Sequence, residues 1–187
     1  KQIGEEIIND FINSGADLKC TSLRYFNPIG AHPSGKIGEL PLNKPNNLVP
    51  FITQTAIGIL PKLTVFGKDY PTKDGTNIRD YIHVVDLAKA HVSAIDFLNT
   101  VNENSYLDYF NLGTGKGNSV REVIEAFESI TGKSLNFEFG PRRKGDVIAV
   151  YADSGKANNI LKWQTELSLE TALKDAWRWE KNIRKDK

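Results

Sequence analysis

Short apolar runs of strand length alternate with amphipathic stretches that carry their own helix caps along the whole chain, and this alternation confines it to the α/β class. Ile7, Ile8, Phe11 and Ile12 recur on one helical face, and Gly15 offers a left-handed stop. Lys19 to Phe26 then reads as a strand that runs into Asn27-Pro28, where proline removes a backbone donor and turns the preceding residue out of helical geometry. The segment Ile29 to Asn46, rich in Gly, Ser and Pro, is expected to be a loop, and its length marks it as functional rather than a mere connector. Leu48, Phe51, Ile52, Thr55 and Ile59 predict a helix behind Asn47, and Leu63 to Phe66 a short strand.

A polar loop, Gly67 to Asn77, leads to a predicted strand Asp80 to Val84, and Asp86 is placed to cap a helix through Leu87, His91, Val92, Ile95 and Leu98. Tyr109 to Leu112 reads as a strand. Ser119 and Glu122 form a capping box for a helix with Val120, Val123, Ile124 and Phe127, ended by Gly132. Leu135 to Phe139 is a further predicted strand. Asp153 is expected to cap a short helix ending near Leu161, and Ser168 a final one carrying Leu169, Leu173, Ala176 and Trp177. There are no internal repeats.

Charge narrows the partners. The 24 basic and 23 acidic residues leave a formal charge of +1, which lacks the concentrated positive surface that nucleic acid needs, so any anion must be gripped locally. No run approaches the roughly 20 apolar residues of a membrane span. Cys20 is the single cysteine and nothing resembles a signal peptide, which points to a reducing cytoplasm. His32, His83 and His91 stand far apart and give no metal-ligand spacing. The chain starts at Lys1 and contains no Met, so it is expected to be a fragment.

Three runs carry chemistry: Leu23-Arg24-Tyr25-Phe26-Asn27-Pro28, Arg79-Asp80-Tyr81-Ile82-His83 and Arg142-Arg143-Lys144-Gly145-Asp146. Arg79 follows a loop and precedes a strand, a place from which a guanidinium can meet an anion with two parallel hydrogen bonds. Arg143 stands similarly ahead of Asp146, whose carboxylate can accept from a ribose hydroxyl or orient the arginine. Asn27, Asn46 and Asn47 offer amides at element ends. Gly113-Thr114-Gly115-Lys116-Gly117 has the look of a phosphate loop, but its third glycine comes one residue early for G-x-G-x-x-G and no Lys-Ser/Thr pair follows, so a tight strand-to-helix turn is the better reading.

Together with Ile29-Gly30-Ala31-His32-Pro33-Ser34-Gly35, Pro45-Asn46-Asn47-Leu48, Phe66-Gly67-Lys68-Asp69-Tyr70, Asp74-Gly75-Thr76 and Val84-Val85-Asp86-Leu87-Ala88, these runs resemble the UDP-glucose 4-epimerases of the extended short-chain dehydrogenase/reductases over nearly the whole chain. The resemblance implies the C-terminal part of a Rossmann-type α/β enzyme with a smaller mixed α/β substrate domain. Residues 1–26 would be a remnant of the Rossmann domain, and 27–187 the substrate portion, returning one or more elements to the Rossmann sheet. It implies NAD, held mainly by a preceding half, a UDP-hexose substrate, and allows a homodimer of the complete enzyme.

The resemblance also implies residue roles. Lys1 matches the lysine of the catalytic Tyr-x-x-x-Lys pair, its tyrosine falling before the chain starts. Tyr25 and Phe26 would border the nicotinamide, Asn27, Asn47 and Leu48 the sugar diphosphate, and Thr64, Val65 and Phe66 the uracil. Arg79 and Arg143 would bind the diphosphate, Asp146 the uridine ribose, and Tyr81 would support the pocket. Val150 lies where family members differ in bulk beside the hexose, and its small size implies room for N-acetylated hexosamines. The competing expectations are a dehydratase or decarboxylase of the same superfamily, or a non-catalytic UDP-sugar-binding module.

Overall fold

The computed structural model describes residues 1–184, so residues 185–187 of the expected substrate portion lie outside it. In chain order the elements are α1 (Gln2–Asn13), β1 (Lys19–Tyr25), β2 (Asn27–Ile29), α2 (Leu48–Ala56), β3 (Leu63–Phe66), β4 (Ile78–Arg79), β5 (Tyr81–His83), α3 (Val84–Thr100), β6 (Tyr106–Leu112), β7 (Asn118–Ser119), α4 (Val120–Thr131), β8 (Phe137–Gly140), β9 (Ala149–Val150), α5 (Gly155–Ile160) and α6 (Leu169–Asn182). Strands β1 and β6 pair in parallel from Lys19 opposite Tyr106 to Tyr25 opposite Leu112. β2 pairs in parallel with β5, and β3 with β8, while β4 lies between antiparallel β7 and parallel β9.

Two apolar cores flank β5, because strand residues alternate faces. Tyr81 joins Ile52, Val65, Phe127 and Leu173, between α2, β3, α4 and α6. Its neighbour Ile82 joins Phe110, Leu112, Ala90 and Trp163, between α3, β6 and α5. His83 is buried under α6, where its Nε2 lies 3.4 Å from Asp175. Helix α1 buries none of its residues: Ile3, Ile7 and Phe11 are exposed, and Glu5 ties the helix to Ser22 and Arg24 on β1.

Most capping expectations hold. Ser119 and Glu122 form the capping box of α4, Gly132 ends it in the left-handed conformation, and the Ser168 hydroxyl accepts the Thr171 N–H at the start of α6. Asp86 does not cap α3. That helix starts earlier, at Val84, and the cap is His83, whose Nδ1 accepts the Val85 N–H at 3.0 Å. Asp86, fully buried, instead accepts the N–H groups of Glu166 and Leu167, holding a distant turn. The expected strand Asp80 to Val84 is accordingly cut to Tyr81–His83, and α2 stops at Ala56, short of Ile59, where Gly58 turns the chain at φ +87°. Ser154 rather than Asp153 occupies the cap position of α5, although the Asp153 carboxylate accepts the Gly155 N–H.

Candidate functional site

A cavity of about 410 Å³ opens where β2, β3, β4, β5 and the segment leading into α2 meet. It is lined by Asn27, Pro28 and Ile29 of β2, by Lys44, Pro45, Asn46, Asn47, Leu48 and Phe51, and by the strand Leu63 to Phe66. Asn77, Arg79, Tyr81, Val120, Arg143 and Asp146 complete it. Among the described residues β3 is paired only with β8, so its other edge leaves backbone N–H and C=O groups unpaired in the sheet.

Arg79 reaches this place as the last residue of β4. Its Nη1 donates to the carbonyls of Ile78 at 2.7 Å and Val147 at 2.9 Å, and its Nη2 lies 3.7 Å from Asp146. Arg143 arrives from the other side, across the left-handed Gly145, and its Nε donates to Asp146 at 3.0 Å. The Arg143 guanidinium also lies 5.0 Å from the Phe66 ring, a cation–π contact that keeps it over the β3 wall. One carboxylate therefore aims two arginines at one cavity. Tyr81, buried beneath them, has its phenol pushed well above the usual range by burial, against the opposing pull of Arg79 and Arg143, and so stays protonated.

The turns around the site are built to hold Arg79 still. In the Gly67 to Asn77 loop the Asp74 carboxylate accepts the Thr76 N–H and hydroxyl and the Ser119 hydroxyl. Burial raises the Asp74 pKa, but those hydrogen bonds outweigh it and the net shift is downward. The glycine-rich run works on a carboxylate of its own chain: Thr114 N and Oγ1 donate to Asp80 Oδ1, and Gly115 N and Ala152 N to Asp80 Oδ2, at 2.7–3.1 Å. The Thr114 and Gly115 amides are thus occupied, which agrees with a structural turn. Asp80, fully buried next to Arg79, was no candidate on sequence, because its partners lie more than 30 residues away.

Of the residues expected at a ligand, Asn27, Asn47, Leu48, Thr64, Val65, Phe66, Arg79, Tyr81, Arg143 and Asp146 line this one cavity. Lys1, Tyr25, Phe26 and Val150 do not. The Lys1 ammonium lies 5.5 Å from the ring of half-exposed Tyr25, at the carboxyl end of β1. Phe26 is half-buried, just beyond that end. Val150 is 40% exposed on β9, in register with Arg79. Sequence reasoning missed Lys44, Phe51 and Asn77; the only signal was their closeness to the Pro45-Asn46-Asn47 run and to Arg79.

This geometry has clear relatives. The family model described as GDP-mannose 4,6 dehydratase matches residues 1–176. UDP-glucose 4-epimerase of Drosophila melanogaster is 48% identical over 180 residues, 96% of this chain and 51% of that protein. A crystal structure of UDP-glucose-4-epimerase from Stenotrophomonas maltophila with bound NAD and formylated UDP-arabinopyranose superposes with a TM-score of 0.94 at 45% identity, covering 100% of this chain and 55% of the other. That of Bifidobacterium longum, in complex with NAD+ and UDP, superposes with a TM-score of 0.90 at 43% identity, covering 97% and 53%. The chain spans about half the length of the curated relatives it matches. Its alternating parallel architecture is that of the Rossmann-type extended short-chain dehydrogenase/reductases, and the chain belongs to the family described as GDP-mannose 4,6 dehydratase.

Proposed function

We propose that this chain is the nucleotide-sugar-holding half of a UDP-glucose 4-epimerase, which interconverts UDP-glucose and UDP-galactose. The observation that carries the reading is the convergence of Arg79 and Arg143 on Asp146 in a cavity that β3 also lines. The two guanidinium groups bind the diphosphate, the edge of Thr64 to Phe66 holds the uracil, Asp146 takes the ribose, and Asn27, Asn47 and Leu48 border the sugar side. Tyr81 props the arginines from below.

The distribution of charge suits an epimerase. Its 4-keto sugar has to turn over between two hydride transfers, so contacts concentrated on the diphosphate and uridine keep the reacting carbon in place without fixing which face is presented. Residues 1–26 with β6 belong on this reading to the Rossmann domain, and the remainder forms the substrate portion. Lys1, Tyr25 and Phe26 gather at the carboxyl end of parallel β1, where ligands of such sheets bind, and would border NAD, which supplies the hydride acceptor when bound. With the amides of Thr114 and Gly115 engaged by Asp80 and that of Gly113 by the Ser154 hydroxyl, this run is not free to hold the phosphates of the dinucleotide, which on this reading belong to the Rossmann half. Val150 leaves room for N-acetylated hexosamines. The near-neutral charge and single Cys suit a cytoplasmic setting.

The test is to join the chain to the NAD-binding Rossmann half that the family resemblance places ahead of it. The account expects UDP-galactose to be converted to UDP-glucose by the joined protein, and the chain alone to bind UDP without turnover. Release of a 4-keto-6-deoxy sugar by the joined protein would favour a dehydratase instead. No turnover alongside intact UDP binding would favour a binding module.

A further inference from the structure

The cavity holds a third cation that neither arginine accounts for. Lys44, from the irregular segment ahead of α2, lines the same cavity as Arg79 and Arg143, and its ammonium lies 5.2 Å from the ring of Phe51, another lining residue. The ion pairs of the site among the described residues are Arg79–Asp146 and Arg143–Asp146, and Lys44 enters neither. Asp146 therefore offsets one positive charge and leaves one from the arginines. A nucleoside diphosphate sugar carries one negative charge on each phosphate. Without Lys44 the cavity would be short of matching it, and a buried or half-buried anion is costly unless its charge is met.

We propose that Lys44 is a substrate-affinity residue that supplies the second net positive charge of the diphosphate site. The inference rests on the nucleotide-sugar reading above and goes beyond it. Its ammonium faces the Phe51 ring, so a cation–π contact holds it at the cavity while its donors stay free for phosphate oxygens. Pro45, buried directly after it, restricts the Lys44 backbone to extended conformations.

The experiment is a titration of UDP, GDP and uridine into the chain and into its Lys44→Gln and Lys44→Arg variants, at two salt concentrations, with circular dichroism confirming the same fold. Lys44→Gln is expected to weaken UDP by about 3- to 10-fold, as for a half-exposed charge contact, to flatten the salt dependence and to leave uridine unchanged. Lys44→Arg should restore most of the affinity. Equal UDP affinity in Lys44→Gln and the parent chain, or equal losses for UDP and uridine, would overturn the role of Lys44. If the parent chain prefers GDP to UDP, the uridine reading fails, while the same comparison on GDP still decides Lys44. Binding of neither diphosphate would overturn both.

Discussion

The carboxylate of Asp80 accepts both the backbone N–H and the side-chain hydroxyl of Thr114, a residue 34 positions away, with no part of Asp80 exposed to water. Two further amides, Gly115 and Ala152, complete its acceptor capacity. Because Asp80 directly follows Arg79, this knot fixes where one side of the cavity stands. Asp80→Asn places an NH2 group against two donors and leaves them unpaired. It is expected to cost about 2–4 kcal/mol in urea unfolding, and to weaken UDP as well. Unchanged stability would show that the knot is incidental.

The long segment before α2 is clamped by α6. Trp179 Nε1 donates to the Glu39 carbonyl at 2.8 Å, Asn182 Nδ2 to the Gly35 carbonyl at 3.1 Å, and the Glu39 carboxylate in turn accepts from Asn47 Nδ2 at 2.8 Å. A Cβ at Gly38 would lie 2.5 Å from the Trp179 ring, so Gly38→Ala must push the segment away. The expected outcome is a loss of about 1–3 kcal/mol in stability and weaker UDP binding through displacement of Asn47, read by thermal unfolding and titration. If the variant binds UDP like the parent, α6 does not position that wall.

Helix α1 depends on one carboxylate. A hydrogen bond from Arg24 pulls the Glu5 carboxyl down to about 2, against the opposing effect of desolvation, with Ser22 and the Arg24 charge adding to the pull. A carboxyl that titrates lower in the folded state contributes its stabilisation above its unfolded pKa, about 4.5 here, and loses it as pH falls toward 2. Amide exchange in α1 should therefore quicken between about pH 4.5 and 2, and Glu5→Gln should remove that pH dependence and loosen α1 already at neutral pH. An α1 that exchanges alike in both proteins would show that the pair does not hold the helix.

Local signals carried much of the fold. The Ser119 capping box, the Gly132 stop and the Ser168 cap were legible because each depends on residues within four positions of one another. Arg79, Arg143 and Asp146 stood out by residue type and by family resemblance, and they meet in one cavity. What stayed hidden is long-range. His83 caps α3 in place of Asp86 because Asp86 is drawn to the amides of Glu166 and Leu167, 80 residues on. The two-residue strands β4, β7 and β9 are too short to show a period, and exist because Ile78 and Arg79 are gripped from both sides. Lys44 and Phe51 could not be assigned to the site until the fold brought them into one cavity with β3.

The most direct test of the central claim, that Arg79 and Arg143 together hold a diphosphate, is titration of UDP and uridine into the chain and its Arg143→Ala variant. Arg143 is the arginine to remove because it is half-exposed, whereas Arg79 also ties down two backbone carbonyls. The account predicts that Arg143→Ala weakens UDP by about 10- to 100-fold, the scale of a lost hydrogen bond to a charged group, and leaves uridine nearly unchanged. UDP affinity equal in the two proteins, or uridine and UDP weakened alike, would contradict it.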